Sequence, residues 1–252
     1  MANVIKIKKG LDINLKGKAS DVLLNGGKSD SYAIVPDYYN GIVPKVVAKV
    51  GEKVKAGSVL MIDKNRPEIK FVSPVSGEVT AVNRGEKRKV LSIVVKPDAQ
   101  IEYEEFGKKN VASLQGAEVK EVLLNAGMWP FIKQRPYDIV AAPLDTPRDI
   151  FVSAFYSAPL APNFDFIVKG QEADFQTGLN ALAKLTNGKV YVGVRSGSVV
   201  SGMKGVEIVE VEGPHPAANV GVQINHIKPV NKGEVVWTAV SYTHLTLPTI
   251  LR

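Results

Sequence analysis

Between Gly41 and Pro97 the chain repeats one short pattern twice, and no other feature narrows its folding choices as much. The first copy is Val46-Val47-Ala48-Lys49-Val50-Gly51-Glu52-Lys53-Val54, continuing through Lys55-Ala56-Gly57-Ser58-Val59-Leu60. The second is entered through Ser73-Pro74-Val75-Ser76-Gly77-Glu78-Val79 and runs Thr80-Ala81-Val82-Asn83-Arg84-Gly85-Glu86-Lys87-Arg88-Lys89-Val90-Leu91. Each sets a Gly-Glu-Lys turn between β-branched runs, with Gly51 and Gly85 in equivalent places, which predicts two half-motifs in pseudo-symmetric register. Val/Ile segments this short, broken by Gly and Pro, suit a small all-β barrel or sandwich rather than helices.

The same stretch resembles the biotinyl/lipoyl carrier fold, a flattened barrel-sandwich hybrid. In carriers a phrase like Ala56-Gly57-Ser58-Val59-Leu60 leads to a hairpin that presents the modified lysine, and a phrase like Pro74-Val75-Ser76-Gly77 follows it. Eight residues before Pro74 stands Arg66, followed by Pro67, while Lys64 and Lys70 are out of register with the modification site. A guanidinium cannot form the amide to biotin or lipoate. The resemblance therefore implies the carrier scaffold without its chemistry; the plainer alternative is a generic β-domain with Gly-Glu-Lys turns.

At 252 residues the chain can build two modest domains, each with its own core. It has no Cys, which excludes disulfides, thiolate nucleophiles and Cys-ligated zinc or iron–sulfur clusters. No run approaches the roughly 18 apolar residues of a membrane span. The start, Met1-Ala2-Asn3-Val4-Ile5-Lys6, lacks the apolar block of a signal peptide, so a soluble, cytosolic chain is expected. Residues 1–110 hold 20 Lys+Arg against 13 Asp+Glu, and residues 111–252 hold 12 of each, so the whole net charge of +7 belongs to the β-rich front. No nucleic-acid motif or aromatic stacking row accompanies it, which favours a solvated or protein-facing surface over nucleic acid.

Taken in order, Ile5-Lys6-Ile7-Lys8-Lys9-Gly10-Leu11-Asp12-Ile13-Asn14-Leu15 reads as an alternating strand pair around a Gly turn, and Asn25-Gly26 as a hairpin turn. Tyr38-Tyr39 reads as a packing element. A helix is predicted from Lys120 through Ala126, stopped at Gly127. Strands are predicted at 138–143, 149–154, 164–168, 189–194 and 205–211, with an amphipathic helix over 172–186 carried by Phe175, Leu179, Leu182 and Leu185. That order is Rossmann-like. No Gly-x-Gly-x-x-Gly follows any strand, and Ser196-Gly197-Ser198 lacks a following helix, so a surface loop is expected there rather than a phosphate cradle. Lys133, Arg135 and Arg148 retain some anion-binding capacity, although arginines near a domain hinge are more often surface pairs. His215, set between Pro214 and Pro216, reads as a turn residue; with His226 eleven positions on and no acidic pair between them, no metal site is expected.

The fold class expected is thus mixed α+β. A biotinyl/lipoyl-like barrel-sandwich β-domain with N-terminal strands occupies 1–110, a Rossmann-like α/β domain 111–212, and the start of a further segment 213–238. Val240-Ser241-Tyr242-Thr243-His244-Leu245-Thr246-Leu247-Pro248-Thr249 resembles one reading frame through a transposon-type sequencing adapter, so residues 239–252 are expected to be artefactual and the natural sequence to stop near Thr238. A genuine terminal strand of alternating Thr and Leu is the alternative.

Several phrases in one order resemble the A subunit of the bacterial sodium-translocating NADH:quinone oxidoreductase. They are Gly10-Leu11-Asp12-Ile13, Pro74-Val75-Ser76-Gly77, Trp129-Pro130-Phe131-Ile132-Lys133-Gln134-Arg135-Pro136, Gly178-Leu179-Asn180-Ala181-Leu182-Ala183-Lys184-Leu185 and Gly213-Pro214-His215-Pro216-Ala217. The resemblance covers Met1 to about Trp237. Members of that family are nearly twice as long, so a later C-terminal portion is expected to be missing. The resemblance implies a peripheral subunit on the cytoplasmic face of the bacterial inner membrane, partnered by the other subunits of a complex that passes electrons from NADH to ubiquinone and pumps sodium. In related flavin subunits the place of Gly127 carries a glycine run; here Met128-Trp129 fills it, so no flavin, NADH or other cofactor is expected on this chain. A non-redox role in assembly or in ubiquinone binding follows. Quinones need hydrogen-bond partners beside an apolar slot; the candidate relict cleft comprises Trp129, Phe131, Lys133, Arg135 and His215, with Phe155 and Tyr156 as further contributors. The competing function is an independent flavin- or nicotinamide-dependent oxidoreductase.

Overall fold

Extended backbone buried away from water has to find partners, and the β-branched front of the chain finds them in two small sheets. The computed structural model describes residues 3–17, 20–24 and 26–240. Its strands are β1 (Asn3–Lys6), β2 (Tyr32–Ile34), β3 (Pro44–Val46), β4 (Lys53–Val54), β5 (Val59–Asp63), β6 (Lys70–Val72), β7 (Gly77–Arg84) and β8 (Val90–Pro97) in the front half. Four of them pair in the order β2-β8-β7-β4 and three in the order β3-β5-β6. Leu60, Met61, Ile69, Phe71, Val79, Ile93 and Val95, none more than 2% exposed, fill the core of this half. This is the barrel-sandwich β-domain that the repeat leads one to expect.

The two Gly-Glu-Lys turns are less alike than their spelling. Gly51 sits at φ +86, where its missing Cβ is what permits the turn, and the Glu52 carboxylate accepts the Lys49 N–H. In the second turn Gly85 is extended, and the left-handed positions fall instead on Lys87 (φ 52) and Arg88 (φ 61). The pseudo-symmetry is one of sequence more than of backbone.

The second half opens with helix α1 (Gly116–Asn125), where Glu118 bonds back to the Gln115 N–H and Val119 and Leu123, one turn apart, are buried. Strands β9 (Ile132–Arg135), β10 (Ile139–Val140) and β11 (Ile150–Ser153) follow, then helices α2 (Phe164–Val168) and α3 (Glu172–Ala183). Strands β12 (Val190–Val194) and β13 (Glu207–Glu212), helix α4 (Val220–Ile227) and strand β14 (Val236–Val240) complete it. One seven-stranded sheet results, in the order β1-β13-β12-β11-β14-β9-β10. The run β1-β13-β12-β11-β14 is parallel, and β9 and β10 add an antiparallel edge. All four residues of β11 are buried, as a central parallel strand requires. The chain goes from β11 to β12 and β13 on one side, then returns through α4 to lay β14 on the other. The topological switch point lies between β11 and β14.

Several expectations are corrected. By sequence the first strand goes with the β-domain, yet β1 pairs parallel with β13 and the Ile7 N–H donates to Glu212 O, so it closes the second sheet; alternation fixes a strand but not its partner. Phe164–Val168, expected as a strand, is α2: the Asn163 side chain accepts the Asp165 N–H and starts a helix in a run too short for periodicity to decide. The strand expected over 138–143 shrinks to the two residues of β10. Residues 213–238, expected to open a further segment, form α4 and most of β14 inside the sheet, because Val236, Trp237 and Thr238 are wholly buried beside β11. Leu11 to Leu15 form no strand. Of the Asn25-Gly26 hairpin, Asn25 lies outside the described residues and the described flanks are not strands. The adapter-like residues from Ser241 onward also lie outside them.

Candidate functional site

The two halves share one hydrophobic core, running from Leu60 and Phe71 in the first to Trp129 and Val152 in the second, and their seam brings most of the candidate residues together. Two glycines allow the close approach. Gly41 (φ +79) lets Ile139 lie against its backbone, and Gly127 (φ +69) does the same for Val72, whose two methyl carbons occupy the space a Cβ would take. Lys70 Nζ donates to Asn125 Oδ1 at 2.7 Å across the same seam.

From the first half, the turn Pro36–Tyr38 delivers Tyr39 edge-on to Phe71, at 4.7 Å between ring centres, and to Phe131 at 6.3 Å. From the second, β9 sends Ile132 into the core and Lys133 and Arg135 to its other face, while Phe131, in the turn just before the strand, is half-buried against the core. Lys133 Nζ stands 5.6 Å from the centre of the Tyr39 ring. Burial holds the Lys133 ammonium below the ordinary lysine range; Asp138 pulls it upward and Arg135 downward again. Burial also raises the Tyr39 hydroxyl. Among the described residues, neither Lys133 Nζ nor the Tyr39 hydroxyl makes a hydrogen bond or an ion pair. Arg135 pairs with Asp138 at 3.4 Å, and its Nε is buried without a partner.

Arg66, at the carrier-lysine position, spans the seam. Its Nε donates to Asp63 Oδ2 at 2.7 Å, Nη1 to Val140 O at 3.1 Å and Nη2 to Gly41 O at 2.8 Å. Asp63 is fully buried, and its second oxygen accepts the Val43 and Asn65 N–H groups.

The other two candidates lie elsewhere. Trp129 is wholly buried, donates from Nε1 to Ala141 O at 2.8 Å and packs edge-on against Trp237 at 5.3 Å; it belongs to the core. His215 sits in the loop after β13, its Nδ1 3.1 Å from Ser157 Oγ and its backbone N–H donating to Asp12 Oδ1. Arg148, which the sequence leaves between anion binding and ordinary pairing, is paired: it is spent on Asp149, Glu234 and the carbonyls of Lys228 and Pro229.

A concavity of about 960 Å³ opens away from the seam, at the carboxyl ends of β11 and β12. Phe155, Tyr156 and Leu160 wall it, with Arg195, Ser198 and Asp165 below; Ser198 Oγ donates to Asp165 Oδ1 at 2.6 Å, and the Arg195 guanidinium lies 5.5 Å from the Phe155 ring centre. The sequence points to Phe155 and Tyr156 but not to Arg195 or Asp165, and it presents Tyr39 as packing. Arg66, in the carrier register, is read in the sequence as no more than the loss of the acceptor lysine. Among the described residues no group of three or more His, Asp or Glu could hold a metal ion, and no helix is long and apolar enough to cross a membrane.

Residues 5–98 match the family described as the NqrA N-terminal barrel-sandwich hybrid domain, and residues 114–247 the NqrA second alpha/beta domain. Three curated relatives each carry the name of the A subunit of a Na(+)-translocating NADH-quinone reductase. That of Photorhabdus laumondii is 37% identical over 238 residues, covering 93% of this chain and 53% of the relative. That of Hahella chejuensis is 38% identical over 240 residues, with 93% and 54% covered. That of Neisseria meningitidis serogroup A is 36% identical over 239 residues, with the same coverage. The chain spans about half the length of the curated relatives it matches.

Proposed function

The chain belongs to the NqrA family, the A subunits of sodium-translocating NADH-quinone reductases, and we propose that it is a non-redox subunit that binds ubiquinone at the seam between its two domains. In this reading it sits on the cytoplasmic face of the bacterial inner membrane, beside the other subunits of the reductase.

One observation carries the reading. An ammonium and a phenol, both half-buried and both without a hydrogen-bonding partner among the described residues, stand beside Phe131 and Phe71. A quinone headgroup is a flat ring with acceptors at both ends. Lys133 and Tyr39 supply donors and half-buried Phe131 supplies an apolar ring, while Phe71, 2% exposed, backs Tyr39 from the core. A neutral acceptor suits a lysine whose charge is disfavoured by burial, since a hydrogen bond to its ammonium recovers part of the lost hydration. The same seam argues against a flavin at the relict glycine loop: Val72 already lies against the Gly127 backbone, where a phosphate would need to approach.

Photolabelling the intact reductase with a reactive quinone tests the site. Adducts are expected between Asn125 and Arg135 and on Tyr39; labelling that spares both stretches overturns the assignment. The independent-oxidoreductase alternative requires a purified chain that is coloured by flavin or reduces quinone with NADH.

A further inference from the structure

The two walls of the seam site come from different domains, so their spacing must be set by something that touches both. Arg66 does. Gly41, whose carbonyl it binds, follows Tyr39 by two residues, and Val140, whose carbonyl it also binds, is the register partner of Lys133 across β9 and β10. The link is reinforced where the Val140 N–H donates to Asn40 O at 2.9 Å, next to Tyr39. Asp63, with no exposure to water, fixes the guanidinium plane through Nε and leaves Nη1 and Nη2 free to point in two directions.

We infer that Arg66 is a positioning residue for the seam site, holding the backbone beside Tyr39 and the backbone beside Lys133 at a set distance through one planar fork. The inference rests on the ubiquinone reading above. The chemistry requires arginine: a lysine ammonium can satisfy Asp63 but has no rigid pair of donors to hold two carbonyls at once. The hairpin tip that would present a swinging, acylated lysine in a carrier is here pinned to the neighbouring domain. Mobility has been exchanged for a fixed join between the two walls.

Two variants of the full 252-residue chain test this. Arg66→Ala strands the buried Asp63 charge and is prone to unfold; Arg66→Lys keeps that charge paired and is the informative one. Two quantities are read on folded protein: affinity for decylubiquinone by quenching of intrinsic fluorescence, and the pH profile of Lys133 acylation by peptide mass mapping. In Arg66→Lys the affinity is expected to fall about tenfold, the consequence of roughly 1.4 kcal/mol of lost positioning. The Lys133 acylation midpoint is expected to move up toward that of an ordinary lysine as water enters the seam. An unchanged Lys133 profile in folded Arg66→Lys overturns the inference, whether or not affinity falls, because positioning has to act at Lys133. If decylubiquinone fails to bind even the wild-type chain while the Lys133 midpoint still moves, the ubiquinone reading falls and the positioning role of Arg66 stands.

Discussion

Asp149 shows how much one buried carboxylate organises. It is 1% exposed and accepts from Lys228 Nζ and Arg148 Nε, both at 2.7 Å, and from the Lys189 N–H at 3.1 Å, tying the start of β11 to the start of β12 and the end of α4. Burial alone would raise its pKa; the hydrogen bonds from Lys228, the Lys189 amide and Arg148 outweigh burial and hold it below the usual carboxylate range. A depressed folded pKa contributes stability that is present above the unfolded value and lost as pH falls through the folded one. The loss therefore sets in below about pH 4. Asp149→Asn should cost about 3 kcal/mol at neutral pH, by leaving two cations without their shared anion, and should flatten the acid limb of a stability–pH curve. Equilibrium denaturation at several pH values checks both. Nothing in the sequence announces this node, because Lys228 stands 79 residues away. The sequence suggests that Arg148 is paired but not with what, for the same reason: its partners near Pro229 are brought to it only by the return of the chain through α4.

Individual elements are legible where a pattern is long or a cap is explicit. Helix α3 carries Phe175, Leu179 and Leu182 at helical spacing, and α1 ends against Gly127, as their sequences require. The five residues of α2 carry no such pattern. The Gly127 turn also joins element to element. Its φ of +69 disfavours any side chain, and Val72 fills the adjoining space. Gly127→Ala should cost about 2 to 3 kcal/mol, from left-handed backbone strain plus overpacking. Combining it with Val72→Ala should recover the packing part and leave about 1 kcal/mol of backbone cost, so the two changes are non-additive. Strict additivity in a double-mutant cycle would show that Val72 does not press on the turn.

At the scale of the whole chain, the two domains share a core that includes Leu60, Phe71, Trp129 and Trp237, and they are bolted by Arg66 and by Lys70 with Asn125. Domains joined in this way unfold together. Scanning calorimetry should give one transition with matching calorimetric and van't Hoff enthalpies; two separated transitions would show that the seam is weaker than its contacts imply. The order of residues is enough to specify the two domain types, the family, and the lack of a thiol or an acceptor lysine in the carrier register, since these depend on local periodicity, turn residues and residue identity. It took the assembled fold to place β1 in the second sheet and β14 in that sheet's interior, to commit Trp129 to the core while Phe131 and Lys133 meet Tyr39, and to bring Arg66 to two carbonyls at once. Those outcomes depend on which distant segments the shared core draws together, and a local pattern carries no record of its eventual neighbours.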